Sequence, residues 1–189
     1  TNSVIMKLNS ARHFQWVSDR KRFSDKKPMA VSRNLVFGQP WRIRLIQMFK
    51  DHPLCNFGMV NRDPEHLELL RDFMTKGEQM DYKFIMCIEG NDVATNLKWV
   101  MSSNSLAVMP RPTCETWFME GRLQGGIHYV EVKDDYSDLL QQLDFYTSHP
   151  DAAEEISRNA NADVNQCRDE RRERYIALRV MLKYFDLCK

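Results

Sequence analysis

The sequence predicts an α/β fold, a Rossmann-like and mostly parallel sheet covered by helices on both faces, and three observations carry that prediction. Short apolar runs alternate with segments of helical period from residue 28 onward. The run Tyr82 to Ile88 is apolar on both faces, as a strand buried inside a parallel sheet is. Proline or an acidic residue stands where several of the intervening helices would begin, and proline has no N–H to lose at a first helical position. Strands separated by helices of about 10 to 15 residues make βαβ units, whose crossovers are right-handed.

The elements follow in order. Met29-Ala30-Val31 leads into Asn34-Leu35-Val36-Phe37 as a first strand, and Pro40 then opens a helix over Arg42 to Lys50 with Leu45, Ile46 and Phe49 on one face. Leu54 to Val60 is a second strand. Asp63 and Pro64 predict a helix carrying Leu67, Leu70 and Met74 as its apolar stripe and ending at Gly77. After the third strand, Glu89-Gly90-Asn91-Asp92 turns into a helix bearing Val93, Leu97, Val100 and Met101. Leu106 to Met109 is a fourth strand, Thr116 to Arg122 a short helix and Ile127 to Val132 a fifth strand. Asp135 or Ser137 then caps a helix with Leu139, Leu143 and Tyr146 in register, Pro150 opens another over Asp151 to Cys167, and Arg168 to Leu187 is the last.

A chain of 189 residues and 22.4 kDa has room for one substantial domain and little more. The alternation places that domain at residues 28–167, with a closing helix at 168–189. Residues 1–27 stand outside it and read as the remnant of an upstream domain or a linker; the absence of an initiator Met points to a trimmed piece. With 43% apolar and 28% charged residues, 7 Gly and 7 Pro, the composition excludes disordered, collagen-like and disulfide-scaffold chains. Apolar runs such as Phe84 to Ile88 fall far short of the ~20 residues of a membrane-spanning helix. Five cysteines without a C-x-x-C pair, and no secretory segment, predict a reducing, cytoplasmic location.

Net charge is +1, yet residues 1 to 50 hold 11 Lys/Arg against 2 Asp/Glu. A solvated basic face is one reading; the others are a phosphate-bearing ligand, nucleic acid or an anionic membrane surface. In open α/β sheets ligands lie at the carboxyl ends of the strands, and two loops there suit an anion: Gly38-Gln39-Pro40, followed by Arg42 and Arg44, and Gly90-Asn91-Asp92. Plain tight turns are the alternative. Neither loop has the three-glycine fingerprint of dinucleotide enzymes. His52-Pro53-Leu54-Cys55 reads as a turn rather than a zinc site, since no second pair follows. Asp134, Asp135 and Asp138 read as helix-start residues rather than metal ligands. His128 is either a core histidine or a ligand contact, and Trp117 and Phe118 are packing aromatics or a stacking surface.

The run from Tyr82-Lys83-Phe84 through Glu89-Gly90-Asn91-Asp92, then Leu97-Lys98-Trp99, Ser103-Asn104-Ser105-Leu106, Glu115 to Phe118, His128-Tyr129-Val130 and Tyr136-Ser137-Asp138-Leu139 resembles glycosyltransferase family 90. That family holds protein O-glucosyltransferases, fungal capsule-associated xylosyltransferases and bacterial lipopolysaccharide core glycosyltransferases. The bacterial branch is the nearest in kind, through Lys7-Leu8-Asn9 with Arg12-His13-Phe14, Gln39-Pro40-Trp41-Arg42-Ile43-Arg44, and Gly90-Asn91-Asp92-Val93-Ala94-Thr95-Asn96-Leu97-Lys98-Trp99. The resemblance implies the C-terminal, nucleotide-sugar-binding domain of a two-domain, GT-B type glycosyltransferase that uses a UDP-sugar donor. It matches Arg42 to the arginine that neutralises the diphosphate, Arg33 to a second arginine near it, Gly90, Asn91, Asp92 and Lys98 to the donor loop and its helix, and Glu115, His128 and Tyr129 to the sugar or base side. Ser32, Asn34, Ala94 and Asn96 depart from the family pattern.

The function implied is transfer of a hexose or pentose from a UDP-sugar to a lipopolysaccharide core or other glycan, without metal or other cofactor. The catalytic base would lie in the upstream domain, so no catalytic residue is assigned here. Partners are then the donor and the glycan acceptor, not nucleic acid, with peripheral association at the inner face of the cytoplasmic membrane. The rival reading is a non-catalytic anion-binding α/β module contacting nucleic acid or membrane phosphates.

Overall fold

The structure of the chain, a computed structural model, describes residues 4–7 and 10–188. Leu8 and Asn9 of the Lys7-Leu8-Asn9 motif lie outside the described residues. Five strands, β1 (Lys27–Asn34), β2 (Cys55–Met59), β3 (Tyr82–Met86), β4 (Leu106–Met109) and β5 (Val130–Glu131), form one sheet in the order β2-β1-β3-β4-β5. Every pairing is parallel. The helices are α1 (Ser10–His13), α2 (Pro40–Phe49), α3 (Lys76–Gln79), α4 (Leu97–Val100), α5 (Leu139–Ser148), α6 (Pro150–Arg168) and α7 (Glu170–Leu187).

Alternation along the strands divides the core into two layers, because successive side chains leave a strand on opposite faces. Phe84, Met86, Leu106 and Val108 join Leu45, Ile46, Phe49, Leu139 and Leu143 on one face. Ile85, Cys87, Ala107 and Met109 join Leu97, Val100, Ala160 and Val164 on the other. Burial on both faces is what makes β3 apolar from Phe84 onward; Lys83, itself buried, lays its ammonium over the Phe23 ring.

Packing runs on through residue 27. Phe23 is 2% exposed and meets Phe84 edge to face. Lys26 Nζ donates to Asp19 Oδ2 at 2.7 Å, and the same carboxylate oxygen accepts from Asn104 N at 2.9 Å. Phe14, Trp16 and Val17 pack against the α4 side of the sheet.

Four expected elements come out differently. No α-helix forms over residues 64–75, only a 3₁₀ turn at Leu67–Leu69; Arg71 N then donates to Met59 O and Leu70 bridges Met59, so the backbone extends the edge of the sheet beside β2. Leu69 alone turns fully inward, while Leu67 and Phe73 are exposed. Gly77 lies inside α3, which a capping box between Thr75 and Glu78 begins. The helix expected from Asp92 shrinks to α4, because Gly90 N donates to Asp92 O and Val93 N to Asp92 Oδ1, local bonds that compete with helical ones. The segment 116–122 contains only a single 3₁₀ turn, Glu120–Arg122. The fifth strand starts at Val130, since Gly126 at φ 74° turns the chain and His128 N donates to Gln124 O.

The long last helix stands partly free: Tyr175, Leu178, Leu182 and Phe185 are exposed on one side, and Ile176 and Val180 face an apolar groove shared with Val4, Ile5 and Trp117. Uncovered apolar surface is thus concentrated on α7. Among the described residues no helix is long and apolar enough to cross a membrane.

Burial also orders the thiols. It pushes Cys55 up to about 12 and Cys87 higher still, whereas Cys188 is exposed. Brief treatment of the native chain with iodoacetamide should label Cys188 first and leave Cys55 and Cys87 unmodified until denaturant is added. Peptide mass mapping reads this directly, and early labelling of Cys87 would contradict the packing of β3.

Candidate functional site

The chain crosses from β1 to β2 on one side and returns to β3 on the other, so the loops after β1 and β3 diverge. That divergence is the topological switch point where open parallel sheets hold their ligands. A cavity of about 540 Å³ opens there, lined by Arg33, Gln39, Arg42, Gly90, Asn91 and Asp92 among others. A neighbouring cavity of about 290 Å³, lined by Trp41, Arg111, Thr113, Cys114, Asp134 and Tyr136, shares Gly90 with it.

Two glycines shape this end of the sheet for different reasons. Gly38 adopts φ 76°, which favours glycine. Gly90 leaves room for the guanidinium: a Cβ there would stand 3.0 Å from Arg42 Nη2 and 3.2 Å from its Cζ, so Arg42 would have to shift. Arg42 projects from the first turn of α2 into the gap between the loops. Its Nε donates to Glu89 O at 3.1 Å, Nη1 to Leu35 O at 2.6 Å and Nη2 to Ile88 O at 2.6 Å. A guanidinium has five N–H donors, so two remain.

Arg33, at the end of β1, is held by Asn56 O and Oδ1 at 2.8 Å each and by Asp72 O at 2.9 Å. Burial lowers the pKa of both arginines. Neither has a carboxylate in ion-pair contact among the described residues. Two half-buried cations with no carboxylate in contact attract an anion. The N–H groups of Gly38, Asn91 and Asp92 also find no protein acceptor among the described residues, which leaves them open to a ligand.

Arg33, Arg42, Gly90, Asn91 and Asp92 therefore meet in one cleft, and the other expected site residues do not. Lys98 is fully buried; its ammonium donates to Glu120 Oε1 at 3.0 Å and sits 5.0 Å from the centre of the Phe118 ring. Glu115 is exposed beside Gly121. His128 lies in the turn before β5, with Nδ1 accepting from Gln124 N. Tyr129 is buried and donates to Glu131 Oε2 at 2.8 Å.

Sequence reasoning passed over three residues that build the cleft. Gln39 stitches the loops together: its Oε1 accepts from Phe37 N at 2.7 Å and its Nε2 donates to Asn91 Oδ1 at 3.0 Å. Trp41 Nε1 donates to Glu89 O at 2.8 Å. The Glu89 carboxylate receives Thr113 N and Oγ1 and Cys114 N, which ties the loop after β4 to the one after β3. The one sequence cue was position, since all three flank a glycine or proline at a strand end.

Other expected features resolve into local structure. His52 Nδ1 accepts from Leu54 N in a turn. Asp135 and Asp138 accept from Ser137 N and Lys133 N around the start of α5. Much of the basic cluster is internally paired: Lys21 with Asp81, Arg22 with Asp25 and Lys26 with Asp19.

Comparison with known proteins gives the family. The model of Glycosyl transferase family 90 matches residues 7–187. The chain belongs to glycosyltransferase family 90. Within the reach of this family 90 chain, the O-glucosyltransferase LpsA of Dichelobacter nodosus is 46% identical over 188 residues, which is 100% of this chain and 59% of LpsA. The chain thus spans about three fifths of that relative. Protein 179R of Invertebrate iridescent virus 6 is 35% identical over 127 residues, covering 64% of this chain and 10% of the viral protein. In fold, the family 90 chain is similar to the C-terminal domain of a group 1 family glycosyltransferase, LpcC of Francisella tularensis, with a TM-score of 0.51 at 10% identity, over 85% of this chain and 97% of that domain.

Proposed function

We propose that this chain is the donor-binding portion of a glycosyltransferase that moves a hexose or pentose from a UDP-sugar to a glycan, a lipopolysaccharide core being the acceptor class that the sequence resemblance to the bacterial branch of the family implies; the relative LpsA is an O-glucosyltransferase. The observation that carries the proposal is the Arg42 clamp at the switch point, a cation without a carboxylate partner, flanked by free backbone N–H groups. The diphosphate lies across Gly90. As the bond from the anomeric carbon to the diphosphate oxygen breaks and the acceptor oxygen bonds to that carbon, charge grows on the departing UDP, and the two spare Arg42 N–H groups and the Gly38 and Asn91 amides stabilise it. The acceptor proton passes to a base outside the residues assigned here.

Lys98, Glu115, His128 and Tyr129 have no direct part in this reading, and Asp135 and Asp138 serve as turn acceptors. Donor binding is accordingly expected to be insensitive to EDTA. A cytoplasmic enzyme working at the inner face of the membrane fits the activity proposed.

Differential scanning fluorimetry tests the reading. A ligand that binds only the folded state adds about 2.7 kcal/mol at 100 times its Kd, so millimolar UDP should raise Tm by several degrees, and a mixed-sequence oligonucleotide should not. The reverse pattern would favour the nucleic-acid module. Gly90→Ala pushes a methyl against the guanidinium and should weaken UDP binding by roughly tenfold or more, about 1.4 kcal/mol, while the fold survives. Unchanged UDP affinity in that variant would move the diphosphate away from Gly90.

A further inference from the structure

Tyr136 closes the smaller cavity, and nothing described so far uses it. Its backbone stands at φ 60°, in the left-handed region that a bulky residue occupies only when its surroundings demand it. Part of the demand is packing, since the residue is 1% exposed and belongs to the same core layer as Val36 and Leu139. Packing explains the ring and leaves the hydroxyl unexplained. That hydroxyl makes no hydrogen bond to any described residue, and it is not one of the polar atoms buried without a partner, so it opens onto the cavity with its proton free to donate.

The group is not sealed in apolar surroundings. Tyr136 lines the cavity together with Trp41, Gly90, Arg111 and Thr113, and it lies within electrostatic reach of Arg42. Burial pushes the phenol up to about 12, so at neutral pH it holds its proton and acts as a donor. An unpaired donor beside an unpaired cation, both bordering Gly90, suits an oxygen carrying negative charge.

We propose that the Tyr136 hydroxyl donates a hydrogen bond to a diphosphate oxygen of the nucleotide held across Gly90, making Tyr136 a donor-binding residue that enters from the smaller cavity while Arg42 faces the larger one. This rests on the UDP-binding reading above and adds a residue to it. The aromatic ring is structural; the hydroxyl is for the ligand.

Tyr136→Phe separates the two roles, because it removes only the oxygen. Calorimetric titration of UDP into the wild-type chain and into Tyr136→Phe should show affinity reduced roughly tenfold, the loss of one hydrogen bond to a charged group. The unliganded Tm should stay the same, since no protein contact is lost. Equal UDP affinity in the two proteins overturns the proposal while leaving the UDP reading intact. A fall in the unliganded Tm with unchanged affinity would make the hydroxyl structural and also overturn it. If the wild-type chain binds no UDP, the reading itself fails and takes this inference with it. Tyr136→Leu, which gives up ring and hydroxyl together, should lower both Tm and affinity, and retention of full affinity there would equally exclude a ligand contact.

Discussion

Replacing Arg42 by alanine is expected to abolish the response to UDP and to destabilise the unliganded protein. The guanidinium serves two purposes that the structure shows to be inseparable in one side chain. It satisfies the carbonyls of Leu35, Ile88 and Glu89, and its charge has no carboxylate partner among the described residues. Truncation leaves Leu35 O and Ile88 O without that donor, whereas Glu89 O keeps Trp41 Nε1. Leu35 is exposed, so its carbonyl turns to water and the cost falls on Ile88 O; at roughly 1–3 kcal/mol for a buried acceptor left unpaired, and about 2–4 °C per kcal/mol for a chain of this size, Tm should fall by about 2–12 °C. Arg42→Lys retains the charge without the three-pronged reach, and should recover part of the UDP shift with little of the stability. Scanning fluorimetry with and without UDP separates the two effects. An alanine variant that still responds fully to UDP would remove Arg42 from the site.

The second large effect is expected at Lys98. Its ammonium is 0% exposed and paired with Glu120, itself 1% exposed, whose carboxylate also accepts from Thr116 N and Oγ1. Lys98→Met strands the Glu120 charge and should cost about 3–5 kcal/mol in urea unfolding. The double change Lys98→Met with Glu120→Leu removes both charges and should recover most of that loss. UDP affinity should be retained in the double variant. Near-neutral stability in Lys98→Met together with lost UDP affinity would instead put the ammonium at the donor, as the family resemblance implies.

Much of the fold was legible because β3 and β4 bury both faces and therefore display the apolar runs Phe84 to Ile88 and Leu106 to Met109. Where the reading failed, a local pattern had two uses. Leu67, Leu70 and Met74 fall at helical spacing, yet the chain there extends the sheet edge, with Arg71 N on Met59 O; the preference was settled by a strand more than ten residues upstream, which periodicity does not see. Asp92 looked like the opening of a helix, but its side chain accepts from Val93 N, and that of Asn96 donates to Met86 O, so a loop forms there instead.

The site divides in the same way. Gly38, Arg42 and Gly90 were legible because a strand end, a glycine and a following cation are adjacent in sequence. Gln39 reaches Asn91 and Arg33 reaches Asn56 across long sequence separations, contacts that only the folded sheet creates. Lys98 is the opposite case: a cation near a donor loop in sequence whose partner, Glu120, turns it into the core. The N-terminal excess of basic residues was real, but Asp19, Asp25 and Asp81 neutralise several of them. That leaves Arg33 and Arg42 as the pair facing the cleft.

The central claim is that UDP lies at the switch point between the loops after β1 and β3. Amide chemical-shift mapping of the ¹⁵N-labelled chain, titrated with UDP, tests it most directly. Saturable shifts are expected at Gly38, Gly90, Asn91 and Asp92, with the Arg42 side-chain Nε–H among them and the 124–131 turn unmoved. Shifts confined to that turn, or to the groove between α7 and the body, would contradict it.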